Sequence, residues 1–239
     1  QSILAMMIKP KCILFDFGET IMLAGFDRRR WVDKWLELAD NPRNVTFQMV
    51  WDAADELIDN NPARMTVHSE FRRTQFDLNL CERLGVSFNI TSVELDIELA
   101  KVSYRKGLQP HTVEMLEKLK ESGIEIGMVS NCVLSGKSLE DVLERNGIRE
   151  YFNFVIASSD YGFRKPNPQI FKTALAKSGT SAEETWYVGD KLEFDIAGAT
   201  GVGVTAVWYN AREEVADKMK PDIEVKDWWE FIRIVEQTR

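Results

Sequence analysis

The sequence predicts an α/β fold in which a parallel sheet covered by helices carries an inserted all-α domain. Three observations predict it. Short apolar runs of strand length alternate with helix-length amphipathic segments along residues 108–239, the pattern left by repeated βα units. One further run of the same kind, Cys12-Ile13-Leu14-Phe15, stands apart near the start. The residues between carry helical periodicity with little strand signal. The expected division is therefore an α/β core of residues 6–24 and 108–239 and a helical domain of residues 25–107.

The elements follow in order. The first strand, 12–15, is uninterrupted by polar residues, as expected of a strand buried on both faces. In the insertion, Trp31, Trp35 and Leu38 share one helical face. Val50, Ala53, Ala54, Leu57 and Ile58 share a second, Phe76, Leu80 and Leu84 a third, and Leu95, Leu99 and Val102 a fourth. Four helices are expected, packed through these faces. Arg28, Arg29, Arg30, Arg72, Arg73, Arg105 and Lys106 are expected to be mostly solvated. Gly25 and Gly107 flank the insertion and suit a hinge, because glycine tolerates backbone change. The core then continues as helix 113–122, strand 124–129, helix 139–146, strand 154–157, helix 168–177, strand 185–188, helix 195–200, strand 204–208 and a closing helix, 228–235.

Four of the strand and turn segments deliver chemistry. Asp16 follows the first strand in the segment Phe15-Asp16-Phe17-Gly18-Glu19-Thr20, and ligands of open α/β sheets gather at the carboxyl ends of strands. Ser130 and Asn131 end the second strand and supply hydrogen-bond donors for an anion. Lys165 sits between Gly162 and the helix opened by Pro168, where a held ammonium neutralises negative charge. Asp190 and Asp195 follow the strand Trp186-Tyr187-Val188-Gly189. With Asp16 they make an oxygen-rich set that suits a hard cation.

These motifs, in this order, resemble the haloacid dehalogenase superfamily over residues 11–24 and 108–209. The resemblance implies a Rossmann-like core, a mobile cap formed by the insertion, and a Mg²⁺-dependent phosphohydrolase whose nucleophile is Asp16. It also implies Asp16, the Gly18 carbonyl, Asp190 and Asp195 as metal ligands. Ser130, the Asn131 amide and Lys165 are implied as the groups that hold the phosphoryl. One position departs from the pattern: where most family phosphatases carry a second aspartate as general acid, this chain has Gly18. Glu19, one residue further on, is a possible substitute. Without an acid, activity is expected to favour esters that leave readily unprotonated, namely aryl, acyl or anomeric sugar phosphates.

Composition narrows the partners. The 239 residues are 44% hydrophobic, with a formal charge of -8 and a pI near 5.0. An acidic chain without a basic stripe disfavours nucleic acid and anionic membranes. No apolar run approaches the roughly 18 residues of a membrane span. Residues 1–5 read as a cloning remnant, and no signal-peptide pattern is visible, so a cytoplasmic location is expected. Cys12, Cys81 and Cys132 are too far apart for metal-ligand spacing and read as reduced thiols. The expected substrate is a small phosphorylated metabolite. Oligomeric state is not readable. Two alternatives stay open: a 2-haloacid dehalogenase, which needs no acid to release halide, and a non-catalytic binding protein on the same fold.

Overall fold

The computed structural model describes residues 7–23, 26–59, 61, 66, 68–105, 107–216 and 219–238. Among these, six strands form one parallel sheet in the order β3-β2-β1-β4-β5-β6. They are β1 (Cys12–Phe15), β2 (Glu125–Ser130), β3 (Phe154–Ala157), β4 (Thr185–Gly189), β5 (Thr205–Tyr209) and β6 (Ile223–Val225). All four residues of β1 are buried, because β1 is central and covered on both faces. It pairs with β2 on one side and β4 on the other, in register Phe15↔Met128 and Phe15↔Val188. The chain thus leaves β1 in one direction and later returns to its other side. The resulting crevice lies at the carboxyl ends of β1, β2 and β4. Trp228 and Phe231 of the closing helix (Trp228–Gln237) pack edge-on against Phe15 at 5.8 and 6.0 Å, which fixes β1 from below.

The insertion contains helices α1 (Arg28–Leu38), α2 (Phe47–Ile58), α3 (Arg73–Leu84) and α4 (Ser92–Ser103), which bury their own apolar cluster around Trp35, Val50, Leu80 and Leu99. Local chemistry starts each where it does. Asp27 accepts from the Arg30 amide, Thr46 from the Met49 amide, and Thr91 with Glu94 closes a capping box. Gly85, in the left-handed region, ends α3. The two connections to the core run side by side through antiparallel bridges at Met22–Leu108 and Phe26–Tyr104. Gly107 accepts from the Leu23 amide at 2.9 Å; Gly25 and Lys106 lie outside the described residues.

Four expectations need correction. Arg73 is not solvated: it is 3% exposed and faces Asp77 and Asp96 at 2.8 and 2.7 Å. The sixth strand was not anticipated, since three residues give too short an alternation to stand out beside Pro221. The helix expected at 195–200 is a π-turn, Leu192–Ile196, leading into a short helix, Ala197–Gly201. The turn is held by Asp195, whose side chain accepts from the Lys191 amide at 2.9 Å. The helix expected from 139 begins at Gly136, because Ser135 caps it four residues before its first strongly apolar position, Leu139.

Candidate active site

Asp16 leaves β1 with its amide still bonded to the Val188 carbonyl at 2.9 Å, so the last rung of the sheet sets its direction. Its Oδ1 accepts from the Lys165 ammonium at 2.5 Å. The same ammonium donates to Asp195 Oδ1 and to Tyr187 Oη, each at 2.6 Å. All three N–H groups of Lys165 are thereby committed. In this arrangement Lys165 neutralises the site through Asp16 and Asp195, and donation to a substrate oxygen would replace one of these bonds. Burial pulls its pKa down, but Asp16 and Asp195 outweigh burial and hold it above the ordinary lysine value. Tyr187 also lies 3.0 Å from the Val129 carbonyl and 3.1 Å from Asp195 Oδ1, so its single proton serves one of two acceptors.

Asp190 stands at the end of β4, with its carboxylate 3.1 Å from Lys191 Nζ. Gly189 precedes it for a steric reason. A Cβ there would come within 2.3 Å of the Asp195 carboxyl carbon, so only glycine lets Asp195 fold back against the strand end. One oxygen from each of Asp16, Asp190 and Asp195 lies within 4.8 Å of the others. Three carboxylates face one fully buried cation. Burial, opposed by Lys165 and reinforced by Asp195 and Asp190, pushes Asp16 up to about 7. Burial and Asp195 push Asp190 up as well. This surplus of negative charge on hard oxygen donors fits a divalent cation such as Mg²⁺.

A cavity of about 340 Å³ opens over these groups. Ser130 and Asn131 line it, as the sequence implies, but Asn131 has a second task. Its side chain accepts from the Lys165 amide at 2.7 Å and donates to the Lys165 carbonyl at 3.0 Å, fastening the lysine loop to the end of β2. Gly18 is exposed, and a Cβ built on it would meet nothing within 4 Å. Glu19 also lines the cavity, at a positive φ of 61°, and its carboxylate forms an ion pair with Arg212. Two other lining groups hold their protons: burial pushes the Cys132 thiol up to about 12 and the Tyr104 phenol above its ordinary value.

Sequence reasoning missed Tyr187 and Arg212. A tyrosine in the middle of a fully buried strand requires a partner for its hydroxyl, and that was the available signal for Tyr187. Arg212 carries no such signal, since its contact with Glu19 depends on two loops meeting.

Residues 80–209 match the family described as haloacid dehalogenase-like hydrolase. Over 95% of this chain and 97% of the relative, the sequence is 28% identical to a glyceraldehyde 3-phosphate phosphatase of Methanopyrus kandleri. Among solved structures, a HAD phosphatase from Thermococcus onnurineus superposes with a TM-score of 0.61 at 26% identity, covering 96% of this chain and 99% of that one. A 2-haloacid dehalogenase from Pseudomonas syringae gives 0.67 at 22% identity over 95% and 99%, a likeness of fold. The match across more than half of the chain makes the protein a member of the haloacid dehalogenase-like hydrolase family.

Proposed function

We propose that the protein is a Mg²⁺-dependent phosphomonoester hydrolase of small phosphorylated metabolites that works through an aspartyl-phosphate. The observation that carries this reading is the gathering of Asp16, Asp190 and Asp195 within 4.8 Å at a strand-end crevice, with Lys165 buried among them. The phosphatase names of the Methanopyrus and Thermococcus proteins support it. Asp16, the Gly18 carbonyl, Asp190 and Asp195 would hold the metal. When bound, it supplies charge neutralisation to the attacking carboxylate and the transferring group.

In the first step an Asp16 carboxylate oxygen attacks phosphorus in line. The new O–P bond forms as the ester P–O bond breaks, and the leaving oxyanion takes its proton from solvent. Lys165 holds Asp16 at Oδ1, which directs the carboxylate and opposes the upward push of burial on it. Ser130 and the Asn131 amide line the place where the phosphoryl oxygens would sit. Water then attacks the acyl phosphate, Asp16 leaves as carboxylate, and both water protons end on phosphate or solvent. Residues 25–107 serve as a cap over the core formed by 6–24 and 108–239, and the expected compartment is the cytoplasm.

Phosphate release from a panel of phosphorylated metabolites, with Mg²⁺ and with excess chelator, tests the reading. Release that depends on Mg²⁺ and on Asp16 is expected. Metal-independent halide release from 2-haloacids, without phosphate release from any ester, would replace it by the dehalogenase alternative.

A further inference from the structure

A second cavity, of about 440 Å³, adjoins the catalytic one beneath the helical insertion; Phe26, Tyr104, Asn131, Cys132, Arg164 and Phe194 belong to both. Beyond that shared boundary the walls are Trp31, Ala54, Ile58, Phe76 and Val133. The cationic groups on its walls, Arg28 and Arg164, already have carboxylate company. Arg28 is bonded to Asp55 at 2.8 Å and Asp59 at 2.9 Å, and Arg164 stands 3.9 Å from Glu70 while lying over the Phe194 ring. A second phosphate or a carboxylate on the substrate would find no surplus positive charge there. An apolar ring would find aromatic walls.

Resting on the phosphatase reading, we propose that the leaving group is an apolar aromatic alcohol, seated in this chamber while its phosphate lies over Asp16. Gly18 points the same way independently. With no side chain at the acid position and open space beside it, the site suits a leaving oxygen that departs without a proton. A phenolic oxygen meets that requirement and an aliphatic one does not. The missing acid leaves aryl, acyl and anomeric leaving groups open, and the chamber selects the aryl one.

The test compares kcat/KM of the Mg²⁺-supplemented protein for 2-naphthyl phosphate, acetyl phosphate and glyceraldehyde 3-phosphate. Acetate leaves more readily than naphtholate, so acetyl phosphate separates the chamber from leaving-group chemistry. The naphthyl ester is expected to exceed both others by roughly tenfold or more, the scale on which hydrophobic pockets discriminate. Ile58→Asp and, independently, Val133→Asp, both outside the catalytic cavity, should raise KM for the naphthyl ester about tenfold while leaving acetyl phosphate turnover within about twofold. Equal or better use of either small ester, or parallel losses in both folded variants, overturns the inference and leaves the phosphatase reading standing. No phosphate release from any ester overturns that reading, and the inference with it.

Discussion

Asp16 and Asp96 are both buried aspartates that face a buried cation, at 7% and 0% exposure, yet their surroundings differ in one decisive respect. Asp96 sits at the start of the helix Gly136–Arg145, where it accepts from the Ser135 amide at 2.7 Å and the Ser135 hydroxyl at 2.9 Å. Arg73 closes the remaining side, and Asp77 and Ser92 complete the cluster. Amide, hydroxyl and helix dipole join Arg73 in opposing the upward push of burial on Asp96, though burial still prevails, and the cluster ties the insertion to the core. Asp16 has one ammonium to share with Asp195, a third carboxylate nearby, and a cavity above it. Buried charge that is answered locally holds structure together. Buried charge left in surplus beside a cavity is available for chemistry.

The largest expected effect breaks the open cluster. Asp16→Asn is nearly isosteric and removes the proposed attacking group, so turnover should fall on the order of 10⁴-fold or more with the melting temperature held or raised. Near-normal turnover in a folded variant would remove Asp16 from the nucleophile's place. Breaking the closed cluster should do the opposite. Arg73→Met strands Asp77 and Asp96 without their cation, and about 3–5 kcal/mol of stability should be lost. Denaturant unfolding measures this; a loss below about 1 kcal/mol would mean that the serines and the helix terminus alone stabilise both carboxylates.

The contrast also marks what was legible in the sequence. Asp16, Ser130 and Asp190 end or follow an apolar strand, Lys165 and Asp195 lie in the turns beyond β3 and β4, and a parallel sheet brings such ends together without further information. The helical faces around Trp35, Val50, Leu80 and Leu99 were likewise visible as periodicity and are buried as one cluster. What depended on long-range meeting was not visible. Arg73 looks like any helical arginine until Asp96, 23 positions on, arrives beside it. The fastening of Lys165 by the Asn131 side chain spans 34 positions and comes beside the role expected of that residue's amide. The chamber under the insertion is made by side chains that read only as core, because which aromatic residues leave a gap is a matter of packing.

A smaller effect sharpens the view that the open cluster lacks a proton donor. Gly18→Asp adds a carboxyl where nothing lies within 4 Å of a Cβ and where the φ is not left-handed, so the backbone accepts it. General acid catalysis is worth roughly a hundredfold or more, and alkyl phosphates should gain on that scale while aryl phosphates gain little. Leaving-group dependence of kcat/KM in the two proteins is the measurement. An equal response of both ester types would assign the proton to a group already present, with Glu19 a candidate on the same cavity wall.

The smallest effect concerns the surplus charge itself. Burial chiefly, with Asp195 and Asp190, raises Asp16 in the metal-free fold to about 7, whereas an unfolded aspartate titrates near its ordinary value of 3.8. The folded protein therefore binds more protons than the unfolded chain between those values, and its stability falls as pH rises through that window. Below the window both states are protonated, and above it both are ionised with the full penalty present. A divalent cation bound by the three carboxylates competes with that proton and offsets the penalty only where Asp16 is ionised. Added Mg²⁺ should accordingly raise the melting temperature by a few degrees at pH 8 and much less at pH 5, a shift on the scale of about 1 kcal/mol of linkage. Asp190→Asn should abolish most of the shift at pH 8 because it removes one of the three oxygen donors. A Mg²⁺ shift of equal size at both pH values, or one that survives in Asp190→Asn, would place the cation away from these carboxylates and leave their surplus charge without the role assigned to it.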